Sequence, residues 1–237
     1  MTRVVERNPA VGGRDWVVGD VHGCFQTLRQ ALLDIEFEHG RDRLFSVGDL
    51  INRGPNSIEA LDWLEQDRFE AVAMGNHEAE MVRLLQTGEI LDPQRREQQW
   101  MRQIPRQDLF RWHRALRPLP LAVTVETPSG RVGIVHCNAL DTGWNATIDA
   151  LEARDITAIN TVLLGPDEWR EHERLAGNTI SGIDCVIAGH QPVSEPECTG
   201  NRWNIDTGAG MSHLGRLTLA RIDVDPLWRR TFDVIDD

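Results

Sequence analysis

The chain has 237 residues, of which 41% are hydrophobic and 26% are charged, and its formal net charge is -12. These proportions are typical of globular proteins with a substantial core and exclude a fibrous or wholly disordered chain. A net negative charge of this size repels polyanions, so we do not expect general binding to nucleic acid.

The sequence predicts a cytoplasmic protein without a membrane partner. Residues 1–14 lack the apolar segment of a signal peptide, and no stretch reaches the ~18 apolar residues of a membrane span. The four cysteines are widely spaced and form no CxxC pair, which indicates neither a zinc cage nor a disulfide framework. A reducing compartment fits this pattern best.

Strand, loop and helix alternate three times in the first part of the chain. Short apolar runs precede the loops GDVHG, GDLINRGPNS and GNHE, and apolar residues at three- and four-residue spacing follow each loop. This alternation predicts an α/β sheet with crossover helices. The predicted strands are 16–18, 44–47 and 71–74.

The remaining segments are expected to complete a single domain over residues 1–237. Residues 1–14 are predicted to be a loose lead-in, and residues 90–118 are predicted to form a helical cap that is interrupted near Pro105. Apolar runs on both sides of PSG predict a hairpin that ends at His136. The later predicted strands are 185–188, 203–206, 217–224 and 231–235.

Side chains that can bind metal ions follow the three early strands. Each loop begins with glycine and then Asp20, Asp49 or Asn76. Because ligands of α/β sheets bind beyond the carboxyl ends of the strands, we expect these loops to converge. His22 lies two residues after Asp20, so both can project to one side and chelate one ion.

A lone Gly-Asp pair would indicate only a turn. The combination here is more specific, because His136 and His190 also lie at the ends of predicted strands. Together these residues supply the oxygen and imidazole ligands that suit Mn, Fe or Zn.

These motifs resemble the calcineurin-like metallophosphoesterases of the phosphoprotein phosphatase family, particularly the compact bacterial and phage serine/threonine protein phosphatases. The residues that carry the resemblance are GDVHG (19–23), GDLINRG (48–54), GNHE (75–78), His136, Gly189-His190 and Asp206-Thr207-Gly208. The resemblance implies an α/β sandwich of two mixed β-sheets flanked by helices.

The resemblance also implies two divalent metal ions, with Mn expected and Fe or Zn as alternatives. Asp49 would bridge the two ions, and a hydroxide held between them would attack phosphorus in line. Asp20 and His22 would bind the first ion with Asp49. The second ion would be bound by Asp49, Asn76, His136 and His190.

Three further residues receive roles from the resemblance. His77 is expected to be the general acid for the leaving oxygen. Arg53 is expected to bind phosphate through its planar guanidinium. Glu78 is expected to be a structural partner.

Two positions depart from the protein phosphatases. Asn52 stands where these enzymes usually carry an aspartate beside the histidine acid, so we expect its carbonyl to orient His77 without supplying charge. The second phosphate-binding arginine of the family is absent, since the matching positions are Leu164, Gly165 and Pro166. Arg170 or Arg174 are the alternatives, although each also fits an ordinary surface arginine.

The leading hypothesis is therefore a metal-dependent serine/threonine protein phosphatase, acting on a phosphorylated protein or a small phosphoester. A symmetrical diadenosine tetraphosphatase is the main alternative, because those relatives also lack aspartate at position 52 and continue with Arg-Gly-Pro. A phosphate-binding protein with weakened catalysis is the third. The oligomeric state is left open.

Replacing Asn52 by aspartate tests the first departure. A carboxylate would stabilise the protonated imidazole of His77, so we expect Asn52→Asp to retain activity to more alkaline pH than the wild type. Superimposable pH–rate profiles of the two proteins would contradict this expectation.

Overall fold

The computed structural model describes residues 4–88, 96–165, 179–211 and 215–235. Within these ranges the strands form two mixed sheets, one of five strands and one of six. In chain order the strands are β1 (Val4–Arg7), β2 (Asp15–Val18), β3 (Arg43–Ser46), β4 (Ala71–Val72), β5 (Ala122–Thr127), β6 (Gly130–Val135), β7 (Cys185–Ala188), β8 (Glu197–Thr199), β9 (Arg202–Asn204), β10 (Arg216–Arg221) and β11 (Trp228–Asp233).

The five-stranded sheet has the order β11-β10-β2-β3-β4. Strands β2, β3 and β4 are parallel, with Trp16 opposite Leu44 and Phe45 opposite Ala71. The helices after β2 and β3 are crossovers between parallel strands, as the early sequence pattern predicts, whereas the helix after β4 leads away from this sheet. The helices of the described residues are α1 (Phe25–Asp34), α2 (Glu59–Glu65), α3 (Asn76–Thr87), α4 (Leu109–Leu116), α5 (Trp144–Glu152) and α6 (Ile156–Leu164).

The six-stranded sheet has the order β1-β5-β6-β7-β9-β8. The predicted hairpin forms from β5 and β6, and β6 is parallel to β7. The carboxyl ends of these two parallel strands lead directly to His136 and His190. They are therefore at one edge of the sheet, where ligand sites of parallel strands form.

The core between the sheets follows from the alternation of side chains along each strand. Val17 of β2 belongs to a buried cluster with Val123 of β5 and Ile134 of β6. Its neighbours Trp16 and Val18 belong instead to the cluster that includes residues of α1. One face of β2 thus packs against the other sheet, and the opposite face packs against a helix.

The N-terminal expectation was wrong for the residues that are described. Residues 4–7 form β1, which pairs in parallel with β5 through Val4–Ala122 and Val5–Val123. The sequence analysis also did not identify β8, α5 or α6. None of the helices in the described ranges is long and apolar enough to span a membrane.

The predicted cap is described only from residue 96 onward. Two 3₁₀ segments, Arg96–Gln103 and Arg106–Asp108, are followed by α4. The interruption near Pro105 is therefore confirmed, and α4 packs against α3 and α2. This segment places Trp100 next to the loop that contains Asn52, and through this contact the segment borders the candidate site.

Candidate metal centre

The loops after β2, β3, β4, β6 and β7 bring together the side chains that the sequence analysis singled out. Asp20, His22, Asp49 and His136 are almost completely buried. The six candidate ligands are Asp20, His22, Asp49, Asn76, His136 and His190.

The backbone makes sharp turns at several of these residues. His22, Asp49 and His190 have φ values of +45°, +50° and +73°, in the left-handed region that non-glycine residues rarely adopt. Asn52 and Arg53 also lie there, at +71° and +65°. Such conformations cluster at functional sites, where the surrounding structure holds them in place.

Glycine precedes the candidate ligands because the backbone there lies too close to other groups for a side chain. A Cβ atom on Gly75 would lie 2.1 Å from Asp49 Oδ1, and a Cβ atom on Gly189 would lie 2.0 Å from Asp20 Oδ1. Both distances are far below van der Waals contact. Glycine is therefore required for the loops to approach the carboxylates this closely.

Asp49 lies between two groups of side chains. Its Oδ2 is 3.7 Å from His22 Nε2, and the same nitrogen is 3.8 Å from Asp20 Oδ2. Its Oδ1 is 3.5 Å from His136 Nε2. The two carboxylate oxygens of Asp49 thus face different histidines.

The second group is even closer together. Asn76 Oδ1 is 2.8 Å from His136 Nε2 and 2.9 Å from His190 Nδ1, and the two histidine nitrogens are 3.1 Å apart. These three atoms and Asp49 Oδ1 point at one small volume. An amide oxygen, two imidazoles and a carboxylate form a donor set that fits a divalent transition metal.

Backbone carbonyls select the tautomer of two histidines. His22 Nδ1 is 2.9 Å from the carbonyl of Ile51, and His136 Nδ1 is 3.0 Å from the carbonyl of Val47. Because a carbonyl only accepts, each Nδ1 carries the hydrogen and donates it. Each Nε2 therefore presents a lone pair to the cluster, which is the usual arrangement of histidines that bind metal ions.

The electrostatics of the cluster favours bound cations. Burial lowers the pKa of His22 and His136 well below the usual value, so both rings are neutral donors. Burial, together with repulsion from neighbouring carboxylates, raises the pKa of Asp20 and Asp49 well above the usual range. Divalent cations would offset the cost of burying these carboxylates as anions. The residues present thus fit a dinuclear metal centre.

Glu78 fixes the backbone of the loop that contains Asp49. Its side chain is completely buried and accepts hydrogen bonds from the backbone N–H groups of Asp49, Leu50, Ile51 and Gly75, at 2.8 to 3.3 Å. The structural role expected from the sequence is therefore confirmed. Burial raises the pKa of Glu78 to about 7, although these hydrogen bonds lower it.

Arg53 and His77 also reach the cluster. Arg53 Nη1 donates to His22 Nε2 at 2.8 Å, and the positive charge of Arg53 lowers the pKa of Asp20 and Asp49. His77 Nε2 is 3.7 Å from Asp49 Oδ2, and its backbone N–H donates to Asp49 Oδ1 at 3.1 Å. Donor atoms of His77, His22 and Asp49 all lie within 4.8 Å of one another, and Asp20 does not belong to this compact group.

The expected orientation of Asn52 was wrong. Its carbonyl Oδ1 accepts from Trp100 Nε1 at 2.7 Å, and its amide Nδ2 lies 2.5 Å from His77 Nδ1. The amide nitrogen, not the carbonyl, faces the imidazole. Nothing in the sequence indicated the contact between Asn52 and Trp100, because it joins segments that are 48 residues apart.

Asp206 is a site residue whose role the sequence analysis did not assign. It is buried, it raises the pKa of Asp20 and Asp49 by repulsion, and its own pKa is raised by burial to about 6. Among the described residues, its Oδ2 has no hydrogen-bond partner. Its position at the end of the predicted strand 203–206 was the available signal in the sequence. Pro166, Arg170 and Arg174 lie outside the described residues.

The family model of the calcineurin-like phosphoesterases matches residues 14–206. The chain belongs to this family. Members depend on a dinuclear metal centre, and the clusters around Asp49 supply candidate ligands for it. The match covers the strands and loops that carry all six candidate ligands.

Curated relatives of this phosphoesterase have two kinds of name. Serine/threonine-protein phosphatase 2 of Escherichia coli K12 is 31% identical over 87% of this chain and 92% of its own length. The symmetrical bis(5'-nucleosyl)-tetraphosphatase of Coxiella burnetii is 34% identical over 70% of this chain. The aligned part is only 54% of the Coxiella protein, so this chain matches about half the length of that relative.

Solved structures share the fold of this phosphoesterase. The crystal structure of a proposed diadenosine tetraphosphatase superimposes with a TM-score of 0.71, at 21% identity and 98% coverage of both chains. A serine/threonine phosphatase from Saccharomyces cerevisiae gives 0.61 at 16% identity, with 100% of this chain and 85% of that chain covered. The expected arrangement of two mixed sheets flanked by helices is confirmed.

Replacing Glu78 by glutamine tests whether its hydrogen bonds stabilise the loop that contains Asp49. A glutamine offers one acceptor oxygen and directs an NH₂ group at backbone donors, so we expect a loss of about 2 kcal/mol or more in unfolding free energy. Denaturant unfolding measures it. The control Glu152→Gln removes the same charge from an exposed position and should change stability by about 0.5 kcal/mol at most. Equal effects of the two variants would contradict the structural role.

The raised carboxyl pKa values predict how metal removal depends on pH. Without metal, the folded state binds protons more tightly than the unfolded state. The stability contributed by protonation of Asp206 and Glu78 is therefore complete at acidic pH. It is lost as pH rises through about 6 for Asp206 and about 7 for Glu78.

Cations bound beside these carboxyl groups favour their ionised forms, so we expect Mn²⁺ to raise the thermal unfolding midpoint more at about pH 8 than at about pH 5.5. Scanning calorimetry with Mn²⁺ or with a chelator measures this difference. An Mn²⁺ effect that is equal or larger at the acidic pH would contradict the assignment of the buried carboxylates to the centre.

Proposed function

We propose that the protein is a dinuclear-metal-dependent phosphatase whose substrates are phosphoserine or phosphothreonine in proteins, with Mn²⁺ as the expected metal. The observation that carries the proposal is that the two carboxylate oxygens of Asp49 face two different groups of candidate ligands. A carboxylate in this position suits two adjacent cations.

In the proposed centre, Asp20, His22 and Asp49 would hold one ion, and Asp49, Asn76, His136 and His190 would hold the other. When bound, two such ions would supply an activated water and charge stabilisation for the phosphoryl oxygens. The hydrogen bonds from His22 and His136 to backbone carbonyls keep their rings oriented for this role.

Other residues of the chain act on the substrate directly in this proposal. Arg53 is exposed at the edge of the cluster, so its guanidinium can turn from His22 to donate two hydrogen bonds to a phosphate. His77 donates a hydrogen bond from Nε2, the ring nitrogen on the side of Asp49, to the leaving oxygen, which takes its proton from water. Both residues then stabilise charge that develops as the ester bond breaks.

A cavity beside the centre offers room for the rest of the substrate. It has a volume of about 530 Å³ and is lined in part by Asn138, Gly189, Gln191 and Arg202. Gly189 directly precedes His190, so the cavity is adjacent to the second group of ligands. Arg202 donates to Asn138 Oδ1 at 2.7 Å and brings positive charge to this wall.

Two observations support a protein substrate over a dinucleotide. The alignment with the Escherichia coli protein phosphatase covers nearly the full length of both chains. The alignment with the Coxiella tetraphosphatase leaves almost half of that protein unmatched. The higher identity of the tetraphosphatase, 34% against 31%, keeps symmetrical dinucleotide hydrolysis as the second candidate.

A cytoplasmic location is part of the proposal. The four cysteines, all within the described residues, form no disulfide, and burial raises the pKa of Cys137 and Cys185 to about 12, which keeps both thiols protonated. Cysteines without disulfides are typical of proteins in reducing compartments.

The substrate class is tested by comparing two substrates with Mn²⁺ present. We expect a higher kcat/KM for release of inorganic phosphate from a phosphoserine peptide than for cleavage of diadenosine tetraphosphate. The reverse order, with ADP as the sole product, would favour the second candidate.

Loss of the bridging carboxylate tests the metal-dependent reaction itself. We expect Asp49→Ala to lower turnover of p-nitrophenyl phosphate by a factor on the order of 10³ or more, because both ligand groups lose a member. Asp149→Ala, which removes an exposed carboxylate from α5, is the control and should retain full activity. Metal binding by the wild type without any turnover would support a phosphate-binding protein instead.

A further inference from the structure

The side chain of Asn52 is held from both sides by hydrogen bonds. It is completely buried, at 0% exposure. The indole Nε1 of Trp100 lies 2.7 Å from its Oδ1, and His77 Nδ1 lies 2.5 Å from its Nδ2. A chain of three side chains therefore leads from the 3₁₀ segment Arg96–Gln103 to the imidazole beside the metal centre.

The chemistry of the indole decides how the amide is oriented. An indole N–H can donate a hydrogen bond but cannot accept one, so the atom that it faces must be the carbonyl oxygen of Asn52. The NH₂ group then faces His77 Nδ1. Because an NH₂ group only donates, Nδ1 must present its lone pair, and the ring hydrogen of neutral His77 is on Nε2.

Asn52 and Trp100 are themselves held in place by further contacts. Asn52 has a left-handed φ of +71°, and its backbone N–H donates to Ser57 Oγ at 2.8 Å. Trp100 packs against Trp112 with ring centroids 5.2 Å apart, and Trp112 is 1% exposed. Rotation of the amide by 180° would set one N–H group against another, at the cost of a buried hydrogen bond.

We propose that Trp100 is a positioning residue that, through Asn52, places the hydrogen of His77 on Nε2. This nitrogen lies on the side of Asp49, 3.7 Å from its Oδ2, where neutral His77 can donate a hydrogen bond that stabilises the leaving oxygen. Trp100 never touches the substrate in this role. The inference deepens the proposed function and rests on it for the catalytic purpose of His77, whereas the hydrogen-bond chain itself does not depend on turnover.

The position of the hydrogen can be measured without any activity. Long-range ¹H–¹⁵N correlation spectra distinguish the two ring nitrogens of a histidine, and Zn²⁺-loaded protein is suitable because Zn²⁺ is diamagnetic. His77→Gln identifies the resonances. We expect wild-type His77 to carry its hydrogen on Nε2, both with Zn²⁺ and with a chelator. Hydrogen on Nδ1 in the wild type would overturn the proposal without any variant of Trp100.

Trp100→Phe removes the indole N–H and keeps an aromatic ring. We expect this variant to populate the Nδ1–H form of His77, because the amide of Asn52 becomes able to rotate. Trp63→Phe is the matched control, since it removes an indole N–H that donates to Glu59 instead of Asn52. It should leave the tautomer unchanged. An unchanged spectrum in Trp100→Phe, or equal changes in both variants, would overturn the proposal.

Leaving-group dependence separates positioning from general loss of structure. Phenolate is the more basic leaving group, so it gains more from a donated hydrogen bond than p-nitrophenolate, which is a stable anion. For Trp100→Phe we therefore expect kcat to fall by about 3- to 10-fold on phenyl phosphate, with KM nearly unchanged and a smaller effect on p-nitrophenyl phosphate. Equal losses on both substrates would contradict a role through His77.

The Asn52→Asp background provides a rescue. A carboxylate accepts through either oxygen, so its rotation does not change what His77 Nδ1 meets. We expect Trp100→Phe to cost less than about 2-fold there. A loss as large as in the wild-type background would overturn the proposal. Tautomer control by Trp100 in a protein that hydrolyses no phosphoester would leave the inference intact and refute the proposed function.

Discussion

The carboxylate of Asp49 is the constraint on which the rest of the site depends. Its two oxygens face two different histidines, so its position determines where both groups of ligands meet. That position is maintained by a left-handed turn and by the backbone N–H groups that donate to buried Glu78. The arrangement buries several carboxyl groups close together, which is favourable only when cations offset their repulsion.

The sheets supply the framework for this arrangement. Val17, Val123 and Ile134 pack the two sheets against each other, and this packing holds the carboxyl ends of their parallel strands at one side. The candidate ligands then come from loops that are far apart in sequence. His136 is 89 residues from the carbonyl of Val47 that orients it, so the geometry of the centre exists only in the folded protein.

Local patterns were sufficient to predict the strand ends and the candidate ligands. The glycines before Asp20, Asp49 and Asn76 mark places where the chain approaches a carboxylate or a neighbouring loop too closely for a side chain. Periodicity likewise predicted the first three strand and helix units. These features depend on residues that are close in sequence, which is why sequence analysis finds them.

Contacts between distant segments could not be predicted in the same way. Residues 4–7 look like a polar lead-in, and they become a strand only because β5 offers them a free edge to pair with. The amide of Asn52 is turned by Trp100, which belongs to a segment without a clear apolar period. Asp206 carried no assigned role until burial placed its charge beside Asp20 and Asp49.

The central claim is that Asp49 bridges two ions, and anomalous diffraction from crystals grown with Mn²⁺ tests it most directly. The account predicts two peaks about 3.5 to 4 Å apart. One should lie by Asp20 and His22, the other by Asn76, His136 and His190, with an oxygen of Asp49 bound to each. A single peak held by His22, Asp49 and His77, without Asp20, would contradict it.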